Sequence, residues 1–160
     1  MTENEARPAI SRLERRAIEA QAVAPVISAI ERRIGREKAL ALLTEINRRE
    51  AFERGRVAAE AFGRNGIDEL VEDVSGWGAG GSMEMEVLER TPTTYFFNVT
   101  RCPYFEKYKE LGLEHLGVAF SCCRDEPFAR GFNPRLQLDR TQTIMEGAEH
   151  CDFRYHLGVP

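Results

Sequence analysis

Met83-Glu84-Met85-Glu86-Val87-Leu88-Glu89 alternates apolar and acidic residues, and beyond the turn Thr91-Pro92-Thr93 the alternation resumes with Tyr95, Phe97 and Val99. A period of two sends successive side chains to opposite faces of an extended chain, so the two segments read as half-buried antiparallel strands. Met83, Met85 and Val87 form the inward set of the first strand. Downstream, Pro103 suits the first residue of a helix running to about Glu110, and a second helix is expected over Leu113–Phe128. Gly131-Phe132-Asn133-Pro134 reads as a turn. Two more alternating strands follow, residues 135–145 and 151–157, joined by Glu146-Gly147-Ala148-Glu149.

Upstream the pattern is helical. Ile10, Leu13, Ala17 and Ile18 have helical spacing, as do Val23, Val26, Ile27 and Ile30, with Pro25 marking a break or a new start. Gly35 ends that segment, Arg36–Phe62 continues as a long helix, and Ile67, Leu70, Val71 and Val74 form a short one. Helices first, then hairpin-connected strands interrupted by helices, predict an α+β fold. N-terminal helices pack on a four-stranded antiparallel sheet with inserted helices. One domain is expected over residues 1–160, with a mainly helical part (1–74) and a sheet part (82–158) that carries the cysteines.

Composition narrows the function classes. The chain has 160 residues, 42% of them hydrophobic and 30% charged; that is too apolar for a disordered chain and too polar for a membrane bundle. Its longest uncharged run, Ala20–Ile30, covers eleven residues against the roughly 20 that a membrane helix requires. No apolar segment stands near the N-terminus, so a cytoplasmic protein without a signal peptide is expected. Its four cysteines would then be free thiols suited to metal binding or catalysis. The net charge of −4 divides into +3 over residues 1–56 and −7 over the remainder. Arg and Glu interleave in the basic half, which reads as solvated helix faces with local ion pairs rather than a nucleic-acid surface. No nucleic-acid or membrane partner is expected. The Ala- and Arg-rich N-terminal helices offer a face for a homo-oligomer.

Gly76-x-Gly78-x-x-Gly81 matches the letter of a dinucleotide fingerprint, which requires a strand before it and a helix after it. Here the order is reversed. The stretch reads as a flexible loop over a site, and no nucleotide cofactor is expected.

The thiols have distinct settings. Cys102 precedes Pro103 at a helix start, where free amides and the helix dipole favour a thiolate. Cys122 and Cys123 fall inside the expected second helix, about 100° apart around its axis. Cys151 shares the inward parity of Phe153, Tyr155 and Leu157. Small buried hydrophobes are the alternative for all four. Arg140 has the parity of Leu136 and Leu138, so it points inward and needs a carboxylate, either Asp152 or one from a ligand. Asp125 serves as a general base or pairs with Arg124 or Arg130. Asp152 and Arg154 fall on the solvated face. Tyr104 either donates to a developing charge or packs, and His150, beside Cys151, is the histidine of most interest.

The succession Cys102-Pro103-Tyr104, Cys122-x-x-Asp125, Gly131-Phe132-Asn133-Pro134, Arg140-Thr141-Gln142-Thr143 and Gly147-x-x-x-Cys151-Asp152-Phe153-Arg154 resembles the L-2-amino-thiazoline-4-carboxylic acid hydrolase family. The resemblance is specific over about residues 95–157 and only general before them. It selects Cys122 over Cys123, because Cys122 has the aspartate three residues on. It implies a hydrolase that opens a cyclic isothiourea to an N-carbamoyl amino acid, on a route to cysteine. Water must add to the amidine-like C2 carbon and the ring sulfur must leave as a thiolate. In one version Cys102, Cys122 and Cys151 hold zinc or another divalent metal that activates the water, with Asp125 or a histidine nearby. In the other, one cysteine attacks C2, with Cys102 favoured by its helix start. Three thiols are more than a nucleophile needs, which favours the metal. Asn133 and Arg140 are the candidates for binding the substrate. The last motif is also similar to ligand-binding domains of the 4-vinyl-reductase type, which would make the chain a non-catalytic small-molecule or metal-binding sensor module instead.

Overall fold

A computed structural model describes residues 10–78 and 83–158. Helix α1 (Arg12–Ile34) begins at a reciprocal cap in which Ser11 Oγ accepts the Glu14 amide and the Ser11 amide donates to the Glu14 carboxylate. It runs unbroken through Pro25. Burial of Ala20, Ala24 and Ile27 on both sides of the proline outweighs the loss of one helical hydrogen bond. Gly35, at φ +87°, turns the chain into α2 (Arg36–Phe62), and α3 (Ile67–Ser75) follows. Gly81 of the glycine-rich motif lies outside the described residues; Gly76–Gly78 form a single 3-10 turn.

Four strands, β1 (Glu84–Arg90), β2 (Thr94–Arg101), β3 (Leu136–Asp139) and β4 (Cys151–Leu157), make one antiparallel sheet in the order β1-β2-β4-β3. The fold is therefore α+β, with the N-terminal helices preceding the sheet. Between β2 and β3 come α4 (Pro103–Glu110), the single turn α5 (Gly117–Phe120) and α6 (Asp125–Phe132). No described helix is long and apolar enough to cross a membrane.

The inward parity of β2 and β4 matches the alternation: Tyr95, Phe97, Val99, Cys151, Phe153 and Tyr155 are buried. Phe97 and Phe153 face each other across the strands with their rings stacked at 4.8 Å. Leu70 and Val74 of α3, Phe132 of α6 and Leu136 of β3 complete this core. A second cluster joins Ala20, Ala24 and Ile27 of α1 to Leu43, Tyr108, Leu116 and Phe120. Ile18, Val26, Leu42 and Ile46 stay exposed on α1 and α2.

Several boundaries differ from the sequence reading. The helix expected over Leu113–Phe128 is broken into the 3-10 turn Glu114–Leu116, α5, the 3-10 turn Cys122–Arg124 and α6. Gly117 meets the side chain of Met145 where a Cβ would stand, so this segment lies too close to its neighbour for one regular helix. The strand expected over 135–145 stops at Asp139. Gly131 and Phe132 belong to α6, which leaves the turn to Pro134–Arg135. Val87 is exposed, because β1 is an edge strand whose register slips at Glu84/Met85 and again between Val87 and Glu89.

Gly55 in the middle of α2 and Gly131 in α6 explain how closely these helices cross. A Cβ on Gly55 would strike the carbonyl oxygen of Phe128, and one on Gly131 that of Phe52. The crossing brings the second half of α2 onto the C-terminal part of the chain.

Candidate active site

The short elements converge. β2 ends into Cys102, which caps α4 ahead of Pro103 at its first position. Cys122 opens the turn before α6, and Asp125 is the first residue of α6. Arg140 follows the end of β3, and Cys151 starts β4. Cys102, Cys122, Cys151, Asp125, Arg140 and Tyr104 all line one cavity of about 680 Å³, within the size range of small-molecule sites. Val99 and Phe153 of the sheet, Val57 and Ala58 of α2, and Phe128 and Met145 supply apolar surface.

Asp125 and Arg140 form an ion pair with side chains only 19% and 16% exposed. The guanidinium also donates to the Cys122 carbonyl at 2.9 Å and lies 5.1 Å from the centre of the Phe153 ring. Arg140 thus points inward, but its partner is Asp125 and not Asp152. Asp152 instead accepts from the Thr141 amide and hydroxyl and from the Gln142 amide. Nor does Asp125 pair with Arg124 or Arg130, which bind Glu50 and Glu126. Burial pushes the Asp125 carboxyl above its ordinary pKa, against the pull of Arg140. The result is a carboxylate primed to take a proton.

All three lining thiols are held protonated by burial. Cys122 is pushed well above the ordinary thiol value, with Asp125 adding to the rise and Arg140 opposing it. Cys151, whose sulfur accepts the Ile144 amide at 3.2 Å, is raised to about 11. Cys102 is raised as well, so the expected thiolate is not the resting form. The amides of Phe105 and Tyr104 at the start of α4 do draw its pKa down, but burial is the larger effect. Tyr104 donates to the Trp77 carbonyl at 3.2 Å and is pushed up to about 12 by burial, with Arg12 and Arg16 opposing and Cys102 and Asp125 reinforcing the shift.

The remaining sequence candidates lie outside the cavity. Cys123 donates its thiol to the Ala119 carbonyl at 3.1 Å. Asn133 is buried and clasps the α2–α3 connection: its amide nitrogen donates to the Asn65 carbonyl at 2.9 Å, and its oxygen accepts the Arg135 amide. The His150 ring is 3.1 Å from the amide nitrogen of Gln142 and is not part of the cavity lining. Although three cysteines share the cavity, no group of three or more His, Cys, Asp or Glu among the described residues is placed to hold a metal ion.

Sequence reasoning missed the cationic side of the cavity. Arg12, Arg15 and Arg16 of α1, Arg54 of α2, and Arg124 all line it, together with Asp73, Glu50 and Glu53. The +3 charge of residues 1–56 and the helical spacing of Arg12 with Arg15 and Arg16 were the available signals.

A family model described as L-2-amino-thiazoline-4-carboxylic acid hydrolase matches residues 15–155. No curated protein matches the chain.

Proposed function

The chain belongs to the L-2-amino-thiazoline-4-carboxylic acid hydrolase family, and we propose on that premise that it opens the ring of a cyclic isothiourea with Cys102 as nucleophile and Asp125 as general base. The observation that carries this reading is the presence of Cys102 and the buried Asp125 in one largely apolar cavity. A thiol and a carboxylate of raised pKa that line the same cavity can serve as nucleophile and base. Cys102 has the advantage over Cys122 and Cys151 that two helix-start amides offset part of its burial penalty.

Asp125 takes the Cys102 proton as the sulfur bonds to C2 of the ring. The bond from C2 to the ring sulfur then breaks, and that sulfur leaves as a thiol carrying the proton from Asp125. An isothiourea linked to Cys102 remains. Water adds to the same carbon, with Asp125 again the base. One water proton ends on the imine nitrogen and the other returns to Cys102, whose bond to carbon breaks. The product from 2-amino-thiazoline-4-carboxylate is an N-carbamoyl cysteine, and the net reaction consumes one water. Arg140 keeps Asp125 ionised and in place throughout.

The test is thiol release from L-2-amino-thiazoline-4-carboxylate, with rapid acid quench and intact mass. Wild type should release one thiol per ring and show a substrate-sized adduct that disappears in Cys102→Ser. Turnover by Cys102→Ser at the wild-type rate would overturn the assignment. Binding of the compound without turnover by wild type would instead favour the sensor-module reading.

A further inference from the structure

Six arginines and four carboxylates line the cavity, an excess of two positive charges in a chain whose net charge is −4. Most of the cations come from α1 and α2. Asp125 is taken by Arg140, and Asp73 by Arg12 at 2.6–3.0 Å. Glu50 is shared between Arg124 and Arg54, the latter at 3.4 Å. Glu53 turns to Arg56, which does not line the cavity. Among the described residues Arg15 has no ion-pair partner, and Arg16 is paired only with Glu19 of its own helix. Arg12, Arg15 and Arg16 crowd Arg54 closely enough for their repulsion to reinforce burial in lowering its pKa. Like charges gathered at an open cavity are relieved by an anion.

We propose that Arg12, Arg15 and Arg16 of α1 and Arg54 of α2 form a carboxylate-binding subsite of this cavity. Arg15 supplies its uncommitted charge, and among the described residues Arg54 is held only by its 3.4 Å share of Glu50. Tyr104 lines the same cavity together with Cys102 and Asp125. The inference deepens the proposed function, since a ring held by its carboxylate at these arginines is anchored in the cavity that the thiols also line. It also replaces Arg140 as the substrate's cation. Arg140 is already bound to Asp125 and to the Cys122 carbonyl. The guanidinium groups can engage both carboxylate oxygens, and several such cations on one anion favour it over a neutral isostere.

The test uses binding rather than turnover, so it does not depend on the reaction assigned above. Titration calorimetry compares thiazolidine-4-carboxylate with its carboxamide on the full chain, on Arg15→Gln/Arg54→Gln and on Arg15→Lys/Arg54→Lys. Wild type should prefer the carboxylate by about tenfold or more. The glutamine variant should lose that preference while still binding the carboxamide as wild type does, and the lysine variant should keep part of it. Equal binding of the two probes by wild type, binding of neither, or an undiminished preference in the glutamine variant would overturn the subsite. Failure to open the thiazoline ring, with the carboxylate preference intact, would overturn only the reaction.

Discussion

Removing Arg140 and removing Asp125 are different operations on the same ion pair. Arg140→Met leaves a buried carboxylate without its counter-charge, which should cost about 3 kcal/mol in urea unfolding. Asp125→Asn/Arg140→Met replaces both charges and should recover most of that loss. If the double variant is no more stable than Arg140→Met, the pair is not the source of the cost. Asp125→Asn alone should lower kcat about 100-fold or more if the carboxylate moves the protons. At this scale the sequence was legible in part. Cys102 and Cys151 could be placed from a helix-start proline and from strand parity. The inward direction of Arg140 could be read from Leu136 and Leu138, but its partner could not. Asp125 sits fifteen residues away across a break in helical structure, and only tertiary packing brings the two together.

Among the elements, the crossing of α2 over α6 sets the shape of the cavity. Its geometry depends on two glycines that any side chain would obstruct. Gly55→Ala or Gly131→Ala forces backbone against backbone, where no flexible side chain can yield. Each should lower stability by about 3 kcal/mol in urea unfolding. A change below about 0.5 kcal/mol would mean that the helices can separate freely. Displacement of α2 would also shift Arg54, the neighbour of Gly55, so substrate affinity should weaken in whatever folds. The long helices and the strands β2 and β4 were readable because their periodicity persists over many residues. Residues 113–145 were not, because irregular turns there carry Cys122, Asp125 and Arg140 to the cavity. Short elements of this kind are specified by what they meet, such as Met145 against Gly117, rather than by their own repeat. The Arg and Glu of α1 and α2 posed another difficulty. A solvated face and a cavity wall have the same spacing, and only the packing of α1 and α2 around the cavity distinguishes them.

Across the whole molecule the charge halves and the cavity do not coincide. The acidic C-terminal part supplies the thiols, while the basic N-terminal part supplies most of the cations. Thiol burial also gives the protein an alkaline limit. Cys123 and Cys151 ionise near 11 in the folded chain against an ordinary value of 9, and Cys102 and Cys122 are raised too. Between pH 9 and 11 the unfolded chain therefore holds fewer protons than the folded one, and stability falls as pH rises. Urea midpoints should be level below that window and decline through it, with a shallower decline in Cys123→Ala. A midpoint independent of pH across the window would contradict the burial of these thiols. At the margins of the sheet a different economy operates. The outer strand β1 carries Glu84, Glu86, Glu89 and Arg90 and slips register twice, while β3 at the other margin has only four residues. Charged, bulged or very short margins refuse an incoming strand. The sheet is thereby kept from growing by addition of another chain, and at β1 much of the guard is three carboxylates that acid can discharge. Once they are neutral, Val87 and Leu88 stand exposed on a margin open to self-templating, so acid threatens this protein through association.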